Sequence, residues 1–526
     1  MNTLDILNIA ASIVPERPAL IAPGNPGVRV SYGELLDRSA RLAAGLAAAG
    51  VGRGQRIALV EVNTPEHAEA YFACARLDAL FVPLNFRSRS GELRWMLRDV
   101  DADAVIAGSR YTALLDEALD DGGRRPLAVA LGEVAPAGWT PYTALVSGSP
   151  PSDAVPSAGD DDPTMVIFTS GASARPKGVV LTHASFSSYV VENVTPAEPD
   201  PASEERTILT VPLYHIAGLQ ALMAAVYGGR TVVVQPQFEP ESWLRLVQDE
   251  RVNRAMLVPT MLRALVEHPS FGDFDLSSLR VITYGAAAMP GDVLERAIAA
   301  FPQAQLINAF GQTESAATIT MLGPEDHVLT GTPEEVERKR LRLRSIGRPL
   351  PDVDVRVVDE RGEELPPGAT GEIVARGARL MKGYWGRPEA TAEALRGGWL
   401  HTGDLGYRDD DGYIFLKGRA REIIKRGGEM ISPEEVEEVI ERHPAVVEAA
   451  VIGVPSAEWG EVVEAVVVVR RDARVTEGEL IEHCRRQIAS FKKPEAVHFV
   501  PALPRNQLGK VLRGQLRDRF GRRPAG

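Results

Sequence analysis

Short runs of β-branched residues alternate with amphipathic helical stretches along most of this chain, and that alternation constrains the fold more than any other feature. Arg56-Ile57-Ala58-Leu59-Val60 follows an Ala/Leu-periodic segment that predicts a helix over 32–46. Residues 165–168 and Thr231–Val234 read as buried strands, 252–257 begins another, and helices are predicted over 240–250 and 290–301. Uninterrupted apolar strands need cover on both faces, so mostly parallel sheets flanked by helices are expected, an α/β architecture. From about 350 the texture turns to short strands and turns (354–358, then Asp359-Glu360-Arg361-Gly362, then 371–374), which predicts a β-rich subdomain. The last hundred residues read as a separate α+β unit with a boundary near 418. Their first helix is predicted over 432–442, with a serine cap, Pro433 at the first helical position and acidic residues in the first turn. The charged run 334–344 reads as a solvated helix face.

At 526 residues and 44% hydrophobic, the chain has material for several packed cores. Its charge of 58 − 71 = −13 has the wrong sign for a protein that coats nucleic acid or anionic lipid, so an anionic ligand needs a local site. Two distant cysteines, Cys74 and Cys484, indicate neither a disulfide framework nor a zinc cluster. No basic residue precedes the short apolar stretch at the N-terminus, and no apolar run approaches the ~18–20 residues of a membrane span. These features predict a soluble, cytoplasmic protein with no membrane span.

The most specific local signal directly follows the strand at 165–168: Thr169-Ser170-Gly171-Ala172-Ser173-Ala174-Arg175-Pro176-Lys177-Gly178. Small and hydroxylated residues with glycines let backbone N–H groups and hydroxyls close around phosphate oxygens, and Lys177 adds a fixed positive charge. The spacing is not that of a Walker loop. Downstream, in Asn308-Ala309-Phe310-Gly311-Gln312-Thr313-Glu314-Ser315, Phe310 suits stacking on a purine, Thr313 a phosphate oxygen, and Glu314 a magnesium ion riding on that phosphate. Asp404, in Thr402-Gly403-Asp404-Leu405-Gly406, is an acceptor for a ribose diol; Arg419 is a nearby cation, and Lys510 follows a glycine in a tail loop.

Taken in order, TSGASARPKG, VPLYHIAG, YGAAAMP, NAFGQTES, TGDLG, GRAREIIKRGGEMISPEEVE and PRNQLGKVLR resemble the acyl-adenylate-forming superfamily of acyl-CoA synthetases, peptide-synthetase adenylation domains and luciferases, over essentially the whole chain. The bacterial acyl- and aryl-CoA synthetase branch is the best match. The resemblance implies an N-terminal AMP-binding domain (1–417) of two α/β subdomains plus the β-rich one, a hinge at 418–421 centred on Arg421, and a small mobile C-terminal domain (422–526). It implies ATP, Mg²⁺ and coenzyme A as co-substrates and a small carboxylic acid as substrate. A homodimer is compatible with it, and no nucleic-acid partner is expected.

Residue by residue, the resemblance places Thr169, Ser170, Gly171, Ala172, Ser173 and Lys177 on the β- and γ-phosphates. Thr313 and Glu314 fall on the α-phosphate and Mg²⁺, with Thr169 as a second metal contact. Gly285, Ala286, Ala287, Asn308, Ala309, Phe310, Gly311 and Gln312 fall around the adenine, and Asp404 and Arg419 on the ribose. Lys510 bridges the carboxylate and α-phosphate during adenylation. In the thiol step the C-terminal domain rotates, withdrawing Lys510 and presenting Lys425, Arg426, Gly427 and Gly428 to nucleotide and CoA. His215 falls between the ATP site and the thiol tunnel as a catalytic candidate, and the acid pocket falls on His215, Ile216, Ala217, Leu219 and Tyr284, with 308–309 and 316–321.

The chain departs from the family at Ala172 and Ala174 in the phosphate loop, at Ala288 after the adenine-binding alanines, and at Phe310, where tyrosine is commoner. None of these removes a required charge. Ala309 stands where malonate-type enzymes carry arginine and Ile216 where hydroxybenzoate-activating relatives carry asparagine, which disfavours a dicarboxylate or a hydroxybenzoate. A medium-chain, alicyclic or aryl acid is expected. The alternative to a CoA ligase is an acyl-AMP ligase that loads a carrier-protein thiol.

Overall fold

The computed structural model describes the chain except for residues 25–26, 121, 170–175, 288, 420–421, 427–428, 457–458, 507–509 and 522–526. The chain divides into two compact units: residues 1–339, 349–354 and 375–400 form the first, and 340–348, 355–374 and 401–526 the second.

Two large sheets build the first unit. One runs in the order Gly383–Tyr384, Lys177–Thr182, Pro163–Thr169, Leu80–Pro83, Arg56–Val60, Ala104–Gly108, Leu127–Leu131, Thr140–Pro141. Its strands from Pro163–Thr169 to Thr140–Pro141 are parallel, and Lys177–Thr182 joins antiparallel as the return of a hairpin. The other contains, in order, Ala317–Leu322, Gln305–Gln312, Val281–Gly285, Arg254–Leu257, Arg206–Leu209, Thr231–Val234, Pro18–Ala22 and Val28–Ser31. Here only Ala317–Leu322 and Val28–Ser31 pair antiparallel with their neighbours. The predicted strands and helices recur within a residue or two, including Arg56–Val60, Thr231–Val234, Pro240–Asp249 and Gly291–Ala300.

Helix ends follow their local chemistry. Ser31 and Glu34 form a reciprocal capping box on Tyr32–Ala48, and prolines open Pro65–Arg76, Pro240–Asp249 and Pro259–Val266. Apolar faces of helices from both halves of the unit meet in one core, where Tyr71 makes edge-on contacts with Phe72, Phe81 and Phe186 at 5.4, 5.7 and 5.7 Å. Both cysteines are buried free thiols.

The second unit holds most of the expected β-rich element, a four-stranded sheet ordered Val353–Val358, Gly371–Gly377, Leu400–Arg408, Ile414–Arg419. It also holds a five-stranded sheet built on the long antiparallel pair Val446–Ser456 and Gly460–Val469. Alternation along that pair separates two cores. Val451, Val463, Ala465 and Val467 pack with Val436, Ile440, Leu480 and Cys484 of helices Pro433–Glu441 and Glu477–Gln487. Ala450, Ile452, Val454 and Val466 pack with Leu516 of helix Arg513–Phe520. The first of these helices starts as its sequence predicts, with the Ser432 hydroxyl accepting the Glu435 N–H and Pro433 at the first position. Pro333–Arg342 is a helix with no buried residue, as its charge run implies.

Candidate active site

Strands Pro163–Thr169 and Lys177–Thr182 are antiparallel, and their register sets Thr169 opposite Lys177 at the mouth of the small-residue loop. Ser170, Gly171, Ala172 and Ser173 lie outside the described residues. A short strand, Gly383–Tyr384, adds to the hairpin's outer edge with Tyr384 opposite Val179, fixed by Lys382 N–H to Val180 O (2.9 Å) and Trp385 N–H to Gly178 O (2.7 Å). Tyr384 thereby joins two of the predicted charges. Its hydroxyl donates to Glu314 Oε1 at 2.9 Å, and the Lys177 ammonium lies 4.8 Å from its ring centroid. The Met381 N–H closes on the Glu314 carbonyl at 2.8 Å. A cation, a carboxylate with one oxygen engaged, and the Thr169 hydroxyl thus gather at one loop. No three-ligand metal cage exists among the described residues. The set suits Mg²⁺ carried in on phosphates, which needs only one or two protein oxygens.

Tyr384 was not legible as a functional residue. Gly383-Tyr384-Trp385-Gly386 reads as an ordinary aromatic turn, and only strand pairing carries it to Glu314. A direct test is Tyr384→Phe. Loss of one hydrogen bond to a charged group costs about 1.5 kcal/mol, so kcat/KM for Mg·ATP should drop roughly tenfold in steady-state kinetics with the melting temperature unchanged. An unchanged kcat/KM would remove Tyr384 from the site.

The adenine candidates sit where parallel strands Val281–Gly285 and Gln305–Gln312 end side by side, with Tyr284 opposite Asn308 and Gly285 opposite Ala309. The strands approach so closely that a Cβ on Gly285 would meet Ala309 O at 2.2 Å. Ala286 follows at φ +65, and Ala316 sits at φ +48 after the turn Thr313–Ser315. Non-glycine residues held in the left-handed region cost about 1–3 kcal/mol and gather at functional sites. The turn itself is tied by Ser315, whose hydroxyl accepts the Gln312 N–H at 3.1 Å and faces Ala317 O at 2.8 Å. It presents Thr313 and Glu314, and the chain then reverses so that Phe310 pairs with Thr320 and Ala309 with Met321.

Tyr284 and Leu219 are almost fully buried, Ile216 is buried and Ala217 half-buried. The Tyr284 hydroxyl meets His327 Nε2 at 2.9 Å, and His327 Nδ1 lies 2.7 Å from Gly323 O. The carbonyl accepts only from an N–H, so His327 carries its proton on Nδ1 and Nε2 accepts from Tyr284. His215 caps helix Ile216–Tyr227, its ring 4.3 Å from that of Tyr214. Burial depresses its pKa to about 3, so it is neutral at ordinary pH. A second residue missed in the sequence holds the strand leading to it. Asn63 Nδ2 donates to the carbonyls of Val211 and Gln235, both at 3.2 Å, and its Oδ1 accepts the Leu213 N–H at 2.8 Å. The buried polar atoms with no hydrogen-bond partner among the described residues include three on ligand candidates: His215 Nε2, Asn308 Oδ1 and Gln312 Nε2. Unsatisfied groups of this kind are rare in a closed core, and three on ligand candidates fit a site that completes its bonds with a bound molecule.

The other candidates belong to the second unit. Asp404 and Arg419 occupy opposite positions on strands Leu400–Arg408 and Ile414–Arg419. The Thr402 hydroxyl accepts the Asp404 N–H at 3.0 Å and donates to Ile373 O at 2.7 Å, fixing the strand at Asp404. Lys425 and Arg426 lie on strand Ile424–Arg426. Arg426 already binds Glu495 at 2.6 Å and Phe491 O at 2.9 Å. Arg421, Gly427 and Gly428 lie outside the described residues, as does Ala288. Lys510 closes a tight loop: its N–H donates to Asn506 Oδ1 at 2.9 Å, and its carbonyl accepts the Asn506 N–H at 2.7 Å.

A parallel two-sheet unit with a hydroxyl- and lysine-bearing loop, followed by a smaller lysine-bearing unit, is the architecture of a nucleotide-dependent enzyme. The chain belongs to the AMP-binding enzymes: that family's model matches residues 8–385, and the model of the AMP-binding enzyme C-terminal domain matches 435–510. A feruloyl-CoA synthase of Amycolatopsis sp is 39% identical over 517 residues, covering 96% of this chain and 98% of that protein. An indoleacetate–CoA ligase of Aromatoleum aromaticum is 34% identical over 522 residues, covering 97% and 98%. Among solved structures, ATP-bound MatB from Rhodopseudomonas palustris superposes with a TM-score of 0.85 at 29% identity, covering 99% of each chain.

Proposed function

We propose that this chain is an AMP-forming acyl-CoA synthetase acting on an aryl carboxylic acid, and the observation that carries the reading is the joining of Lys177 and Glu314 through Tyr384 beside the Thr169–Lys177 loop. The chemistry requires such a cluster. A carboxylate oxygen attacks the α-phosphorus of Mg·ATP, the new O–P bond forms as the bond to the β-phosphate oxygen breaks, and pyrophosphate departs. Two anions must meet, so positive groups aimed at the developing charge supply most of the rate. Lys177, Thr169 and the small-residue loop take the departing phosphates, and Thr313 and Glu314 take the α-phosphate and its Mg²⁺. Lys510 supplies charge between carboxylate and α-phosphate. In the second step the CoA sulfur attacks the acyl carbonyl, the C–O bond to AMP breaks, and the thiol proton leaves to solvent. Lys425 and the strand beyond it serve this step, after a rotation hinged at Arg421.

Support for the acid class comes from the uncharged pocket candidates Ile216, Ala217, Leu219 and Tyr284, and from the aryl acids in the names of the feruloyl and indoleacetate relatives. No helix among the described residues is long and apolar enough to cross a membrane.

The test is a panel of carboxylic acids, cinnamic, aryl-acetic, alicyclic and medium-chain, with ATP, Mg²⁺ and CoA, following AMP and thioester together. Equal AMP and thioester for the aryl acids is the expected result. AMP and thioester for straight-chain acids alone would overturn the acid class, and acyl-AMP without thioester until a carrier protein is added would overturn the CoA acceptor.

A further inference from the structure

We infer that Arg513 is a positioning residue for adenylation: it locks the foot of the Lys510 loop to the segment just past the hinge and to helix Pro433–Glu441, so that these parts of the second unit move as one body. This rests on the role proposed for Lys510. Arg513 opens helix Arg513–Phe520, three residues beyond Lys510. Its guanidinium spans two carboxylates: Nη1 lies 3.0 Å from Glu422 Oε2, and Nη2 lies 2.7 and 2.8 Å from the two oxygens of Glu437. Glu434 Oε1 stands 3.5 Å away. Side-chain exposure is 11% for Arg513, 12% for Glu422 and 13% for Glu437, so water does little to screen these pairs.

Each partner leads somewhere that matters. Glu422 immediately follows hinge position 421. Glu437, on helix Pro433–Glu441, also accepts the Val451 N–H at 2.6 Å and so fixes the guanidinium to the long central strand. Glu434 accepts from the Ser432 hydroxyl at 3.0 Å, and its carboxylate lies against Gly418, before the hinge, a contact that is not part of the moving body. A Cβ on Gly418 would meet Glu434 Oε2 at 2.5 Å, and Gly418 sits at φ +106, a position that only glycine fills without strain. From Arg513 back toward Lys510, the Leu512 N–H binds Pro504 O at 2.8 Å and Arg505 pairs with Val511. Residues 504–506 and 510–512 are therefore paired, and the foot of that pairing is held by one planar, bidentate cation. A lysine ammonium is a point charge and cannot hold both carboxylates in that geometry.

The catalytic lysine must reach its target within a fraction of an ångström, and a misplacement of ~1 Å costs up to about 10²-fold. Removing Arg513 alone would strand two carboxylates, Glu422 and Glu437, so the informative protein is the double variant Arg513→Met, Glu437→Gln, which removes the cation and the carboxylate it holds by two bonds and leaves Glu422. In the full-length enzyme, with the panel acid of highest turnover, adenylation measured by pyrophosphate release should fall at least tenfold, well inside that bound. Thioester formation from supplied acyl-adenylate and CoA should stay within about twofold, since Lys510 takes no part in it. Backbone hydrogen exchange at Asn506, Lys510 and Leu512 should accelerate by about tenfold while the melting temperature holds. Arg513→Lys should fall between wild type and double variant in both readouts. Wild-type adenylation and loop protection in a folded double variant, or equal loss of both half-reactions, overturns the inference. Lys510→Ala measured alongside separates the layers. If it is inactive in adenylation and the double variant is active, the inference about Arg513 fails alone; if Lys510→Ala is itself active, the role of Lys510 fails first.

Discussion

Lys510→Ala is expected to slow adenylation of the acid by about 10²–10³-fold, the loss typical of deleting one group aimed at developing charge. Thioester formation from supplied acyl-adenylate should be nearly untouched. The asymmetry follows from where charge changes. In the first step a carboxylate and a polyphosphate, both anionic, are pressed together and negative charge builds on the departing pyrophosphate, so a missing ammonium raises the barrier in proportion to the field it supplied. In the second step the nucleophile is a thiol and the electrophile an uncharged acyl carbonyl, with AMP already a stable leaving group. Rapid-quench measurement of acyl-AMP, set beside a thioester assay started from synthetic acyl-AMP, reads the two steps separately. Equal losses in both would falsify separate use of the lysine. Two bonds to Asn506 fix the backbone at Lys510, which argues against a floppy tail residue.

The parallel sheets were legible because a strand buried on both faces must be apolar throughout, and runs such as Thr231–Val234 admit no other reading. Helix starts were legible because caps are local, as at Ser432. The ligand candidates could be named from the sequence because they lie in contiguous motifs, most of them at the end of a strand. Tyr384 and Asn63 were not, since their roles come from strand pairing and loop closure across long sequence separations: Tyr384 meets Glu314 from 70 residues away, and Asn63 meets Val211 from 148. The Arg513 cluster was hidden for the same reason. Two of its carboxylates, Glu434 and Glu437, sit in a helix whose acidic first turn is explained by the helix dipole alone, and nothing local shows that Glu437 turns inward. The sequence also could not show that the residues just past the phosphate strand bring Thr169 face to face with Lys177, which is a matter of hairpin register.

Acidification is expected to destabilise the first unit while His215 stays neutral. His67 and His183 are each 1% exposed, and burial depresses their pKa values to about 3 and about 4. His183 is held as an acceptor: its Nδ1 takes the Thr3 N–H at 3.1 Å, a bond lost on protonation. In the unfolded chain both histidines titrate near ~6.5. Below that pH the unfolded state binds protons that the folded state refuses, so stability falls as pH drops from about 6.5 toward 3–4. Each histidine costs about 2 kcal/mol between pH 7 and pH 5, and the pair about 4 kcal/mol, a large share of the ~5–15 kcal/mol that holds a domain together. His215 adds to this in the same direction. Glu61 and Glu69 act oppositely: burial raises both carboxyls, so the folded state gains protons there as the pH falls. The histidine contribution can be isolated by comparing wild type with His67→Gln across that range by chemical denaturation. The wild-type stability curve should be steeper by nearly one proton around pH 5.5, and parallel curves would show that His67 is protonated in the fold. Because His215 stays neutral through the same window, loss of activity on mild acidification should track unfolding rather than ionisation of His215, and should be recovered on return to neutral pH wherever refolding is complete.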